Sequence, residues 1–404
     1  NTRRRNPTTE FFQQWGWSFR FGYGVQFGQN NYIEPFAELG KFFLFSPWKL
    51  LKFRYLPQGV NVGTTLTRNQ THERTRNQAL KKPVARSLSA NRQLSFSWQF
   101  IDGGLLNPGI DYTLDVSSSL VHLEVDRFGR QRSMLSILDD MIISDKFINF
   151  GIDQGYTQNI NFNTRPVVPQ ILKLDRIIAP SLRYSARYDW QNNFQAGSLG
   201  KSAGVVGTLT VGLDINLKVI ADEIWSPQSA SSALSPADTS AGSPGLMKRL
   251  DQLTRVIIKG PFFDWERLNF SFTQSNTARH SGVLGRPGFL NLFGRVPFFQ
   301  ESLPENGPSL LYQLGLSSDP HGEVVLGTKG QFPFVSGRTI RGRRAPLGNL
   351  TDLYTQGNKV IMRTARTLWE GARIDLNWSL GWSYNVNRTI TTDSLGIPTE
   401  LGRT

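Results

Sequence analysis

The 404-residue sequence contains no cysteine. Disulfides, thiolate metal sites and a cysteine nucleophile are therefore excluded. It also lacks any apolar run near the ~18 residues that a transmembrane helix requires, which excludes a helical membrane protein. A membrane β-barrel remains possible, because barrel strands carry their apolar residues only at alternate positions. Because the sequence begins at Asn1 without a methionine or an apolar signal stretch, we expect a piece of a longer protein.

Acidic residues are outnumbered, since 45 Lys and Arg against 31 Asp and Glu give a formal net charge of +14. Such an excess is typical of nucleic-acid-binding proteins, but no module of that class is recognisable. The basic clusters, such as Arg3 to Arg5 and Arg341 to Arg344, fall in polar connections. Solvated loops, lipopolysaccharide phosphates or a polar lumen would each suit them, and we expect no nucleic-acid partner.

Motifs for catalysis and cofactor binding are also missing. Gly197 to Ser202 reads GSLGKS, but it lacks the first glycine of a phosphate-binding loop and precedes a strand pattern, so we interpret it as a turn. No G-x-S-x-G motif occurs. Asp139 and Asp140 have no catalytic partner nearby in sequence. The histidines lack ligand spacing and have polar neighbours typical of surface residues: His72, His122, His280 and His321. We predict no cofactor, no nucleotide or metal site, and no enzyme.

Two segments alternate with a period of two for longer than a soluble strand usually does. On one face we predict a lipid-facing wall made of Trp15, Trp17, Phe19, Phe21, Tyr23, Val25, Phe27, Ile374, Leu376, Trp378, Leu380, Trp382, Tyr384 and Val386. The intervening polar positions predict a lumen-facing set made of Arg20, Gln26, Arg373, Asp375 and Asn377. Apolar residues outward and polar residues inward are the pattern of a membrane barrel, although a half-buried soluble β-sandwich would also alternate.

Weaker alternations predict further strands. They occupy 60–66, 94–100, 110–120, 156–162, 182–190, 209–219, 268–272 and 310–316. Short amphipathic helices are expected in connections at 133–143 and 246–259. Residues 226–245 are small, polar and proline-rich, which predicts a flexible loop. The chain is therefore expected to be all-β, forming one partial barrel region over 1–404 with long loops.

Several short stretches resemble the SprA (Sov) family, the outer-membrane translocon of the type IX secretion system of Bacteroidota. They are Tyr156-Thr157-Gln158, Tyr188-Asp189-Trp190-Gln191, Leu268 to Asn276 with the following Gly282 and Pro287-Gly288-Phe289, Tyr312-Gln313-Leu314-Gly315, and the strand from Arg373 to Arg388. They follow the family's order from about Phe45 onward. Residues 221–248 and 332–349 do not align.

The resemblance implies a portion of the C-terminal half of a very large single-chain transmembrane antiparallel β-barrel. It implies export of folded cargo proteins with type IX C-terminal signal domains, and support of gliding motility in motile relatives. The implied partners are outer-membrane lipid, a PorV-like shuttle barrel and a plug protein, with energy supplied by inner-membrane motors. The implied location is the outer membrane, at the cell surface of a Gram-negative bacterium.

Three other interpretations stay open. The chain could belong to a TonB-dependent transporter or to a lipopolysaccharide-inserting barrel, which also have large membrane barrels. It could also be a secreted β-rich adhesin or binding module, which would be soluble without detergent.

Overall fold

In the computed structural model, twelve strands form one continuous antiparallel sheet. The structure describes residues 2–5, 9–28, 30–35, 51–76, 84–103, 106–126, 128, 130–142, 151–166, 168, 174–220, 265–285, 307–326 and 337–404. In order across the sheet, the strands are β1 (Thr2–Arg4), β2 (Thr9–Gln26), β5 (Gly59–Thr75), β6 (Ala85–Gln99), β8 (Gly109–Ser119), β9 (Ile152–Thr164), β10 (Ile178–Asn192), β11 (Lys201–Ile215), β12 (Leu268–Ser281), β15 (Asn349–Trp369), β16 (Ala372–Thr392) and β17 (Pro398–Arg403). Each strand pairs with the sheet strands before and after it in the chain, and β1 and β17 form the two edges.

The smaller elements lie in the connections. Two strands form a hairpin, β13 (Glu323–Leu326) with β14 (Gly337–Ile340), and three form a small sheet, β3 (Tyr32–Ile33), β4 (Lys52–Arg54) and β7 (Ile101–Asp102). In the described residues the helices are α1 (Met134–Ile142), α2 (Leu174–Ile177) and α3 (Leu310–Gln313), with 3-10 turns at Val121–Leu123 and Phe194–Gly200. Among the described residues, no helix is long and apolar enough to cross a membrane.

The prediction of a mostly antiparallel β protein with few helices is confirmed. Helix α1 lies inside the predicted 133–143 segment, whereas 226–245 and 246–259 fall outside the described residues. The prediction of a strand at 310–316 is wrong, because Leu310–Gln313 is helical. The Ser309 side chain accepts a hydrogen bond from the Tyr312 amide at the start of α3, and Gly315 follows the helix with a φ of 72°. The predicted strand at 209–219 is too long, since β11 ends at Ile215.

One face of the sheet is apolar and the other polar because paired residues in neighbouring antiparallel strands point to the same side. The register connects Phe21 on β2 to Thr64, Arg92 and Val116 on the next three strands. Following the strand pairing further, across β9 to β15, shows that Trp378 on β16 lies on this same face. The two long predicted apolar series therefore lie on the same face of one sheet, although eight strands lie between β2 and β16.

Two connecting segments fold back onto the apolar face, both at the end of the sheet where β8 leads to β9 and β12 to β15. The first is residues 120–142. The second, which we call the cap, comprises residues 307–322 and 341–348. The 120–142 segment buries Leu88 and Ala90 beneath Leu120, Leu123 and Ile137, with Trp17 packed alongside. Tyr312 of the cap buries side chains of β9 to β12. We call this end of the sheet the cap end.

Candidate functional site

The polar face is continuous over many strands. From β5 to β12, its positions carry only Gly, Ser, Thr, Asn, Gln, Asp, Glu and Arg, apart from Ala85, Ile152, Ala179 and Val206. Side-chain hydrogen bonds join neighbouring strands on this face, for example Ser97 to Asp111 at 2.6 Å and Thr157 to Asp189 at 2.9 Å. Such a face suits contact with water rather than a protein core.

Hollows on this polar face show that it is concave. One of them, with a volume of about 900 Å³, extends from β2 to β10 and is lined mainly by polar-face residues such as Arg20, Asn91 and Asp115. A second, of about 610 Å³, lies between β10 and β16 and includes Arg187 and Asn387. A curved sheet whose concave side is polar has the shape expected of a wall that encloses water.

The predicted lumen-facing residues all lie on this face and are exposed: Arg20, Gln26, Arg373, Asp375 and Asn377. Arg373 donates to Asp375 at 3.0 Å and also approaches Glu266, with a separation of 3.7 Å. Arg363 donates to Asn377 at 3.3 Å. Around Arg373, Asp375 and Asn377 these contacts form an exposed network of polar and charged groups.

The apolar face is open away from the cap end. Phe19 and Tyr23 are 58% and 62% exposed, and four consecutive outward positions of β16 are 50% or 51% exposed: Leu376, Trp378, Leu380 and Trp382. Ile374 and Phe21 are exposed as well, whereas Trp15, Trp17, Val25, Phe27 and Tyr384 are half-buried. Exposed apolar areas of this kind are typical of surfaces that contact a partner or a membrane.

Val386 departs from the predicted lipid-facing series. Its side chain is only 3% exposed, so it does not contact the surroundings of the protein. It pairs with Tyr354, and Ile390 further along the same face is also buried. Both positions lie toward the cap end. The alternating pattern continues through this region because Val386 and Ile390 are buried on the same face that is exposed from Ile374 to Trp382.

A buried ion pair joins the 120–142 segment to the sheet. Arg68, on the apolar face of β5, donates two hydrogen bonds to Glu124, at 2.7 Å and 2.9 Å. Both side chains are almost fully buried, and the Arg68 guanidinium lies 5.6 Å from the Trp15 ring. A charged residue on the apolar face is thus matched by the segment that covers it.

The cap is positioned by residues from three of the motifs that carry the family resemblance. Trp190 pairs with Tyr156 and Tyr188 with Gln158, so two of these motifs lie side by side on β9 and β10. Tyr312 of the third motif contacts Tyr188 edge to face, with ring centroids 6.0 Å apart. These aromatic rings belong to one hydrophobic core cluster of the described residues.

The cap lies close to the sheet, because tyrosine hydroxyls bond to backbone carbonyls and two glycines meet. The Tyr312 hydroxyl donates to the carbonyl of Ala203 at 3.2 Å, and the Tyr184 hydroxyl donates to the carbonyl of Leu314. Gly315 lies against Gly207, where a Cβ atom built on Gly207 would come within 3.3 Å of the Gly315 carbonyl. Glycine at both positions allows the two backbones to approach.

Beneath the cap lies a buried cluster of charged and polar groups that the sequence did not indicate. Arg344 donates to Asp319 at 2.8 Å and lies 3.7 Å from Asp352, and the His280 Nδ1 atom lies 2.9 Å from the Tyr312 hydroxyl. His321 accepts a hydrogen bond from the Leu284 amide at 3.0 Å. The prediction that His280 and His321 are surface residues is wrong, because the long β12–β15 connection folds back on the sheet and leaves His280 buried and His321 half-buried.

His280, Asp319 and Asp352 bring three possible metal-ligand atoms within 4.8 Å of one another. The guanidinium of Arg344 already places a positive charge between the two carboxylates. A metal ion would have to displace a buried arginine, which would then lack compensation for its own charge. The cluster therefore fits an internal ion pair that holds the cap better than it fits a metal centre.

The environment of the cap shifts the pKa values of its ionisable groups. Burial, followed by the nearby Arg344 charge, lowers the pKa of His321 to about 4. Burial acts to raise the pKa of Asp319, but the charge and hydrogen bonds of Arg344 outweigh it and leave that pKa below its usual value. At neutral pH the cap is therefore held by a neutral His321 and an ionised Asp319.

The other candidate motifs have plain structural roles. Gly197 to Ser202 runs through a 3-10 turn into β11, with Gly197 at a φ of 57°. Asp139 and Asp140 lie on α1, where Asp140 pairs with Arg132 at 2.5 Å. Comparison of the chain with models of protein families and with curated proteins finds no match.

Proposed function

We propose that this chain is part of the wall of a large outer-membrane β-barrel through which folded proteins leave a Gram-negative cell. The observation that carries the proposal is the single curved sheet with two exposed faces, one polar and concave, the other apolar. A soluble β-sandwich would cover its apolar face with a second sheet. In the described part of the chain, the two segments that bury core clusters on that face, 120–142 and the cap, both lie at one end.

The height of the open apolar zone fits a membrane. From Ile374 to Tyr384, a strand rising ~3.3 Å per residue is about 33 Å long. A strand tilted by ~40°, as in outer-membrane barrels, would span about 25 Å along the membrane normal, which matches the apolar band of such barrels. The half-buried Tyr384 and the buried Val386 then mark where the band ends and the covered zone begins.

The polar face supports a conduit for folded cargo. A folded protein that passes along it meets hydroxyl, amide and charged groups, and few apolar side chains that would retain it. The mixed charges on this face, such as Arg187 beside Asp189 and Arg373 beside Asp375, do not favour cargo of one sign. We therefore infer passive conduction, without an enzymatic step in this chain.

The edges of the sheet also bear on the proposal. Strands β1 and β17 each leave one side unpaired in the described chain. An unpaired strand edge is not tolerated in lipid, so the proposal requires further strands from the rest of the barrel. The resemblance to the SprA (Sov) family supplies such a barrel. It also motivates the proposed partners: a PorV-like shuttle barrel, a plug protein and type IX cargo.

The test is biochemical and uses the intact protein in native membranes. Outer and inner membranes are separated, the protein is extracted with detergent, and its electrophoretic mobility is compared with and without heating. We expect it in the outer membrane, with heat-modifiable mobility and a co-purifying smaller barrel. A soluble protein would refute the barrel. An outer-membrane barrel with an attached plug domain and no smaller partner would favour a TonB-dependent transporter instead.

A further inference from the structure

The apolar face carries polar residues where the cap lies over it. Gln158 of β9 and Asn276 of β12 are on this face and are 1% and 0% exposed, and Asp352 of β15 is also buried. Uncovered amides and carboxylates on the outer face of a barrel would be costly in hydrocarbon. Between β9 and β15, the surface that the protein presents at this level is therefore the cap itself, not the strands.

The outer side of the cap is uncharged and apolar, like the exposed apolar face of the sheet. Residues 307–318 contain no charged residue, in a chain where 19% of residues are charged. They contain four leucines around α3, of which Leu311 is 43% exposed and the other three are half-buried: Leu310, Leu314 and Leu316. An uncharged, leucine-rich surface on top of a buried polar cluster is the reverse of a normal water-facing loop.

The sheet register places the cap beside the open apolar zone. Gly315 lies against Gly207, and the hydrogen-bonded row of Gly207 runs through Asn276 and Gln356 to Tyr384. Tyr384 is the last position of the apolar series on β16 before the side chains become buried. The leucines of the cap thus continue the exposed apolar surface of β16 around the sheet.

We propose that the leucine surface of the cap, residues 310–316, contacts lipid acyl chains at the boundary of the bilayer. The cap is then a second layer of the wall, placed between the strands and the lipid, which lets polar side chains on β9 to β15 remain on the outward face without meeting hydrocarbon. The inference rests on the proposed membrane location. Lipid is the chosen occupant because the patch is uncharged and continuous with the wall.

The test uses spin labels, each placed on a single introduced cysteine in a background without other accessible cysteines; the 404 residues contain none of their own. Labels are placed at Leu311 and Leu316 on the cap, at Trp378 on the wall, and at the exposed Arg343 as a matched water-facing control. The intact protein is reconstituted in phosphatidylcholine vesicles. Relaxation by oxygen, which concentrates in lipid, is compared with relaxation by a water-soluble nickel complex.

We expect an oxygen-to-nickel accessibility ratio above one at Leu311 and Leu316, lower than at Trp378, and a ratio below one at Arg343. Strong nickel accessibility at both leucines, with Trp378 in lipid, would place the cap in water and overturn this inference alone. Low accessibility to both reagents at the leucines would indicate a protein partner over the cap and would also overturn it. Nickel accessibility at Trp378 would refute the proposed membrane wall as well.

Discussion

Replacement of Glu124 by alanine should release the 120–142 segment from the apolar face of the sheet. The carboxylate of Glu124 accepts both hydrogen bonds from Arg68, and both groups are almost fully buried. Without Glu124, the arginine keeps its charge in a region that water does not reach. The segment must then open to hydrate Arg68, because no second carboxylate pairs with that guanidinium among the ion pairs of the described chain.

The expected magnitude follows from the burial of the pair. Removal of one partner of a buried ion pair costs about 3–5 kcal/mol. Since ~1.4 kcal/mol corresponds to a tenfold change in an equilibrium, the open form of the segment should become about 150- to 5000-fold more populated. Replacing both partners, Arg68→Met with Glu124→Leu, should restore most of the loss because neither charge is then left buried.

Amide hydrogen exchange on the intact protein in detergent measures this opening. Informative amides are those of Leu120, which donates to the Leu88 carbonyl, and Arg132, which donates to the Glu124 carbonyl. Glu10→Gln is the matched control, since it breaks an exposed pair with Arg74 and should change exchange little. The reasoning is refuted if Glu124→Ala accelerates exchange no more than Glu10→Gln, or if the double variant is as open as Glu124→Ala.

Three further predictions concern the wall and the cap. Leu380→Arg should cost ~2–4 kcal/mol on assembly in membranes and reduce the heat-modifiable fraction, whereas Ser379→Arg on the polar face should be tolerated; equal effects would contradict the two-faced wall. Gly315→Ala, at a φ of 72°, should speed amide exchange in the cap by strain of ~1–3 kcal/mol, whereas Gly357→Ala, with open space around it, should not. The depressed pKa of His321, about 4, should stabilise the docked cap fully above pH 6.5 and progressively less as the pH falls toward 4; His321→Gln should flatten that dependence, and an unchanged profile would refute the assignment.

The long alternating segments were predictable from the sequence because the two faces of each strand meet different surroundings. In β2 and β16, apolar and polar residues alternate over most of the strand, and the predicted strands lie within Thr9–Gln26 or Ala372–Thr392, except for Phe27. The same alternation placed Arg20 and Asn377 on the polar face. Wherever a strand lies between a polar and an apolar environment, a period of two is a reliable signal.

Strand β15 shows why other parts could not be predicted. Its outward positions include Asp352, Gln356 and Asn358, whereas Leu353 and Ile361 lie on the polar face. The cap covers the outward residues toward its own end, so they need not be apolar. The alternation disappears, and a strand of 21 residues gives no pattern. Covering by a distant part of the chain is a tertiary effect, which local periodicity does not report.

The cap itself was misinterpreted for a related reason. Leu310, Tyr312, Leu314 and Leu316 alternate as a strand would, but the segment is placed by contacts with β10 and β11, more than 100 residues away. The contacts of His280 and His321 were equally hidden, since their partners Tyr312 and Leu284 lie more than 30 residues away in the chain. The one available signal was the run of twelve uncharged residues from 307 to 318.

The central claim is that one face of this sheet meets lipid and the other meets water. The most direct test is a single-cysteine scan of neighbouring residues in native membranes; the 404 residues themselves contribute no cysteine. Cysteines introduced in place of Arg20 and Asn377 should react with a water-soluble maleimide. Cysteines in place of Phe21 and Trp378 should react only with a lipid-soluble one. Reaction of all four with the water-soluble reagent would contradict the account, because both faces of the sheet would then lie in water.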